Sequence, residues 1–209
     1  MLRRLGSNDQ GFKSVVFQPG LNILVADKTQ TSADTDSRNG SGKSSLIEIL
    51  HFQLGMTRLT GSVLANRSLQ DTRFVLELDW PGRDQPVTAW RSLKKRSRVD
   101  LSPDVATKDV LLTTAGQRTI PEWVEVLGRD LFGLPEQHKS LSARTLLGLY
   151  IRRVSQHAFN HPVKTFPTQA VAEASANVAY LLASIFHASG DGRRYGCRSS
   201  ARVDSVIGV

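Results

Sequence analysis

Two short apolar runs open the chain, at residues 13–17 and 21–26, separated by Gln18-Pro19-Gly20. Pro and Gly at that point predict a tight turn, so the runs read as two strands. The second, Leu21-Asn22-Ile23-Leu24-Val25-Ala26, is almost continuously apolar, the pattern of a central strand covered on both faces. A polar stretch follows at 27–36. From 44 to 54 the spacing turns helical: Leu46, Ile47, Ile49, Leu50 and Leu54 share one face, and Gly55 stands where such a helix would stop.

Residues 73–80 alternate, with Phe74, Leu76, Leu78 and Trp80 on one side and Val75, Glu77 and Asp79 on the other. The turn Pro81-Gly82-Arg83-Asp84-Gln85-Pro86 leads into 87–93, an antiparallel partner. Residues 98–118 are mixed, with a candidate strand at 110–113. Helices are predicted at 121–132, with Pro121 in the first turn, at 142–153 and at 169–187. The last carries Val171, Ala174, Val178, Leu181 and Ile185 on one stripe, with Thr168 as its N-cap. Beyond Ala188, glycines, arginines and serines replace any period. The expected organisation is one α/β unit over 1–183, helical from about 121, and an atypical basic tail over 184–209, disordered or poorly packed.

Composition narrows the class only a little. No apolar run is long enough to span a bilayer, and the N-terminus lacks the apolar segment of a secretory signal, so a cytoplasmic protein without membrane contact is expected. The lone Cys197 excludes an internal disulfide framework and a cysteine-based zinc site. The net charge of +8, part of it in Arg91-Ser92-Leu93-Lys94-Lys95-Arg96-Ser97-Arg98, favours polyanionic partners such as DNA. The same residues also suit a solvated basic loop.

The chemistry lies between the second apolar run and the first helix. Ser37-Arg38-Asn39-Gly40-Ser41-Gly42-Lys43-Ser44 reads as a phosphate-binding loop. A triphosphate needs many donors aimed at a small volume. Glycines let backbone amides turn inward, and a helix N-terminus adds its positive end. Asn39, Gly40, Ser41, Gly42, Lys43 and Ser44 form that cradle, with Lys43 on the β- and γ-phosphates, the Ser44 hydroxyl on Mg²⁺ and Ser45 nearer the α-phosphate. Ser37 stands where the usual pattern has its first glycine. A hydrolysing site also needs acidic residues at the end of an apolar strand. The nearest imitation, Phe74-Val75-Leu76-Glu77-Leu78-Asp79, reads instead as a hairpin strand.

Three segments carry a family likeness: Phe12-Lys13-Ser14, Phe17-Gln18-Pro19-Gly20-Leu21-Asn22-Ile23-Leu24, and Asn39-Gly40-Ser41-Gly42-Lys43-Ser44-Ser45-Leu46. In them the chain resembles the N-terminal ATPase-head lobe of SMC, RecF and RecN-like proteins of the ABC superfamily. Within these it is most similar to bacterial SMC-like proteins linked to three-component ABC-type defence systems. The resemblance implies a P-loop NTPase fold with a mixed sheet, an antiparallel hairpin and a helical second half. It implies ATP and Mg²⁺ as ligands, a second ATPase lobe or another copy of the head as partner, and action on DNA in repair or phage defence. By the same resemblance Lys13 lies near the adenine or α-phosphate, although a solvent-facing lysine on an edge strand fits equally. Gln156 falls where a glutamine touching Mg²⁺ would stand. The family's signature motif and Asp-Glu strand do not appear, and Leu141-Ser142-Ala143-Arg144 reads as a helix start, so hydrolysis by this chain alone is not expected. His157 and His161 read as surface residues. Two other readings remain: a stand-alone P-loop phosphotransferase, and a nucleic-acid-binding or assembly module without catalysis.

Overall fold

Leu2 and Leu5 bracket two arginines in strand β1, Leu2–Ser7, and an irregularity between Leu2 and Arg4 sets Leu2 opposite Leu78 and Leu5 opposite Leu76. Leu5 is fully buried. The arginines reach carboxylates of the neighbouring strand β3, Arg73–Leu78: Arg4 Nη2 lies 2.6 Å from Glu77, and Arg3 Nε lies 2.5 Å from Asp79, just past the strand's end. These contacts belong to a computed structural model that describes residues 1–24, 42–105, 116–135, 141–153 and 157–190, the last six by backbone alone.

On the other side of β1 lies the two-residue β2, Val15–Val16, inside the run expected at 13–17. β3 turns back into β4, Val87–Ser92, in the expected hairpin, with Leu76 opposite Ala89. The chain then adds β5, Arg98–Ser102, and β6, Gly116–Thr119. The sheet has six strands in the order β2-β1-β3-β4-β5-β6, and every pairing is antiparallel. The expected mixed sheet is therefore corrected: the described sheet is wholly antiparallel, and residues 21–24 of the run read as a central strand do not join it. Residues 21–24 form no strand, and Leu21, Ile23 and Leu24 are 86%, 74% and 50% exposed. Among the described residues β2 is the last strand on that side of the sheet. Locally, the Asn22 side chain accepts from Gln18 N and donates to Gln18 O, both at 2.8 Å, closing a loop around the left-handed Gly20. The strand expected at 110–113 lies outside the described residues.

Helix α1, Lys43–Gln53, begins within one residue of the expected start. Its buried residues include Ile49, Leu50 and Phe52, while Leu46 and Ile47 are only partly covered. Gly55 at φ 101° ends it, as the pattern predicts, and a Cβ there would run into Val124. Gly55→Ala is expected to lower stability by about 2 kcal/mol through left-handed strain and overpacking, read as a lower urea midpoint. An unchanged midpoint would show that the turn tolerates a side chain.

Helix α2, Ile120–Phe132, starts at a reciprocal cap between Thr119 and Glu122 with Pro121 in the first turn, and stops at the left-handed Gly133. Helix α3, Ala143–Tyr150, opens on the same kind of cap between Ser142 and Thr145 and ends before the expected 153. Helix α4, Val171–Gly190, starts three residues after Thr168, which is therefore not its cap. Its packed side is Ala174 and Asn177, with Val178 partly covered, whereas Val171 is 64% exposed. Tyr180 donates to Phe132 O at 2.7 Å and ties α4 to α2. The helix continues past residue 183 to Gly190, and the remainder of the expected tail, 191–209, lies outside the described residues.

One face of the sheet carries the core. Phe74, Leu76, Leu78, Val87, Ala89 and Leu101 pack there against Phe52 of α1 and Trp123 and Leu127 of α2. Trp80 and Trp123 stack at 5.5 Å. Among the described residues no helix is long and apolar enough to cross a membrane.

Candidate functional site

The start of α1 is set by backbone geometry. Gly42 sits at φ 78° and ψ 3°, a left-handed conformation that glycine adopts without steric cost, and its carbonyl accepts from Leu46 N at 2.9 Å. Lys43 is the first helical residue, Ser44 and Ser45 the next two. The amides of a first turn have no acceptor inside the helix, and they concentrate its positive end. No acidic residue stands in that turn to cancel it. Gly42, Lys43 and Ser44 are exposed and Ser45 is partly covered. The other expected cradle residues, Asn39, Gly40 and Ser41, lie outside the described residues, as does Gln156. Lys13 is exposed, just before the edge strand β2. That strand is separated by β1 from β3, whereas α1 packs on β3 and β4.

The opposite end of α1 is gripped from three elements. Arg91 of β4 donates to Phe52 O, to Met56 O at 3.1 Å and to Arg96 O, with its guanidinium 4.0 Å from the Phe52 ring centroid. Arg144 of α3 donates to Leu54 O at 3.2 Å and to His51 O at 3.4 Å. Trp123 of α2 donates through Nε1 to Gln53 O at 2.9 Å. His51 bridges Ile151 O, 2.6 Å from Nε2, and Arg144 Nη2, 3.2 Å from Nδ1. Cations at a helix C-terminus oppose its partial negative charge. Burial, with Arg144 adding repulsion, pushes the Arg91 guanidinium down to about 9, and burial with Arg153 nearby pushes Arg144 to about 10. Both stay charged at neutral pH.

Sequence reasoning missed this clamp. Arg91 reads as the first residue of a basic loop, yet it is 1% exposed. The signal was present: Arg91 continues the inward positions Val87 and Ala89, so strand alternation already points it into the core. Arg153, 3.5 Å from Glu48 across the same helix, had no such signal.

The acidic pair on β3 is engaged elsewhere, as the hairpin reading expects. Glu77 pairs with Arg4 and Asp79 with Arg3, and Asp79 Oδ2 also lies 3.6 Å from the N-terminal amine. His157 and His161 are exposed. Among the described residues no group of three or more His, Cys, Asp or Glu side chains is placed to hold a metal ion. None of the protein-family models, curated proteins or solved structures compared with the chain matches it.

Proposed function

We propose that this chain is the ATP- and Mg²⁺-binding N-terminal lobe of an SMC-like ATPase head, acting in DNA repair or phage defence and incomplete for hydrolysis by itself. The observation that carries the proposal is the start of α1: a left-handed glycine, then an exposed lysine and two serines, at a helix end with no acidic residue. That donor set suits a polyphosphate. First-turn amides and the Lys43 ammonium meet its oxygens, and the Ser44 hydroxyl is a hard oxygen ligand of the kind Mg²⁺ takes. Mg²⁺ would neutralise phosphate charge; orienting the nucleotide falls to the loop and to Lys43.

A missing partner lobe, or another copy of the head, accounts for a second feature. Leu21, Ile23 and Leu24, written for a covered strand, stand exposed, as does Val16 of the sheet's edge strand. Glu77 and Asp79 serve β1 rather than a water molecule, so isolated protein is expected to release no steady phosphate from ATP.

Titration with ATP and Mg²⁺ tests the reading. Lys43→Ala is expected to weaken binding by about tenfold to a hundredfold, the value of one charge-assisted contact to a phosphate. Lys43 is exposed, so an unchanged far-ultraviolet spectrum should accompany the loss. Equal affinity in the variant and the parent, or no binding by either, would end the proposal.

A further inference from the structure

The face of the sheet turned away from α1 and α2 has its own character. Alternation places Arg73 of β3, Trp90 and Ser92 of β4, Arg98 and Asp100 of β5 and Gln117 of β6 on it, and the register sets Trp90 opposite Asp100 and Asp100 opposite Gln117. These residues line an open groove of about 200 Å³ that adjoins a wider one of about 580 Å³, sharing Arg73, Trp90, Asp100 and Gln117. Trp80 and Trp123 are buried in the core, but Trp90 is only partly covered. The Arg73 guanidinium stands 5.8 Å from the Trp90 ring centroid and is fixed by Asp100 at 2.6 Å, whose other oxygen accepts from Gln117 at 2.8 Å.

The rim is basic. The β4–β5 turn, Lys94-Lys95-Arg96-Ser97, is exposed throughout, and Arg98 follows it into the groove. Asp100, the acidic residue of the groove lining, is already engaged by Arg73 and Gln117. Lys94 meets Asp71 at 3.5 Å with both side chains largely exposed, a pair too weakly held to remove its charge from the surface. Lys95 and Arg96 form no ion pair among the described residues.

We propose that this groove binds single-stranded nucleic acid, with a base packed against the platform that Trp90 and the Arg73 guanidinium over its ring form together, and the backbone phosphates on Lys95, Arg96 and Arg98. A flat aromatic with a guanidinium held over its ring is a platform for a π-face, and a basic edge supplies sequence-independent phosphate contacts. A duplex hides its base faces, and an acidic peptide offers none, so the aromatic floor distinguishes the single strand from both. The inference deepens the DNA part of the proposed function and rests on it only there. The groove lies on the sheet face opposite α1, so nucleotide is not needed for it.

The test uses fluorescence anisotropy with labelled oligo-dT and oligo-rU in low salt without ATP, alongside tryptophan emission. Binding of one or both oligonucleotides is expected, with dT against rU telling DNA from RNA. Trp90→Ala is expected to lose about tenfold in affinity. Trp90→Phe, which keeps a ring, should retain most of it while losing the emission quenching that a base packed against Trp90 produces. The Lys95→Gln/Arg96→Gln variant, altered only at exposed positions, should lower the slope of log affinity against log salt by about 1.4. Lys43→Ala should bind the oligonucleotides as the parent does, which separates this site from the nucleotide site. Absence of binding, binding indifferent to both groove variants, or equal competition by polyglutamate would overturn the proposal.

Discussion

Replacing Arg91 by methionine is expected to lower the free energy of unfolding by about 3 kcal/mol, measured as a urea midpoint at pH 7. A buried cation without a carboxylate is itself costly. Burial holds its pKa down at about 9, so part of the folding energy already goes into keeping it charged. A methionine removes that cost and keeps most of the stem. It cannot remove the groups the guanidinium serves: Phe52 O, Met56 O and Arg96 O belong to the backbone and stay. Phe52 O retains a donor in Gly55 N, and Arg96 O lies in an exposed turn where water can replace the arginine. Met56 O belongs to a buried residue and loses the arginine outright. An orphaned buried carbonyl costs about 1–3 kcal/mol, and losing the cation at the helix C-terminus and over the Phe52 ring adds about 1 kcal/mol more. The expected fall of about 3 kcal/mol is the sum of these losses, and the relief of desolvation acts against it. A methionine variant as stable as the parent, or more so, would show that desolvation dominates, as it can for other buried charges.

Prediction from sequence worked where local chemistry and tertiary environment agree. Pro121 marked the start of α2, and the Thr119–Glu122 cap and Gly133 that the structure adds act, like it, through backbone atoms within a few residues. The alternation of Phe74, Leu76 and Leu78 was sufficient for β3 because one face of that strand meets the core and the other does not. It failed where the deciding partner is distant. An apolar run such as Leu21-Asn22-Ile23-Leu24 states that burial would be favourable, but only a neighbouring strand can provide it, and none of the six pairs with it. β5 and β6 are short and partly polar, held by the register of β5 on β4 and of β6 on β5 and by Arg118 on Asp104 at 2.5 Å rather than by a strong apolar period. Of the candidate site, Gly42, Lys43, Ser44 and Ser45 were legible as a loop-to-helix junction. The clamp at the other end of that helix was legible only for Arg91, through the alternation of β4, and not for Arg144 or Arg153, whose partners lie on a distant helix.

The two ends of α1 explain one another. A helix that offers its positive end to an anion must have its negative end stabilised, and it must not rotate when a ligand binds. Arg91, Arg144 and Trp123 fix four successive carbonyls, those of His51, Phe52, Gln53 and Leu54. The cluster therefore positions the candidate site without touching it.

Acid should release this clamp through His51. Between neutral pH and pH 4 the protein is expected to lose about 3 kcal/mol of stability on account of this one residue. His51 is 2% exposed; burial first, then Arg144 and Arg153, lower its pKa to about 4, with the Ile151 carbonyl only partly opposing them. The geometry fixes the tautomer: Nε2 faces the Ile151 carbonyl and must carry the hydrogen, which leaves Nδ1 to accept from Arg144. A second proton would have to enter on Nδ1, against a guanidinium. In the unfolded chain the same histidine titrates near 6.5, so the unfolded state binds more protons between about 6.5 and 4, and stability rises with pH across that window. Its contribution is complete above 6.5 and is lost as pH falls toward 4. A shift of about 2.5 units at about 1.4 kcal/mol each gives the stated size. His51→Gln isolates it, because glutamine can donate to Ile151 O and accept from Arg144 without titrating, while the carboxylates common to both proteins cancel in the difference. Urea unfolding at pH 7, 5.5 and 4 should show the parent's advantage over His51→Gln shrinking by about 3 kcal/mol. A difference that stays constant across that range would mean that His51 is protonated in the folded protein or reaches water.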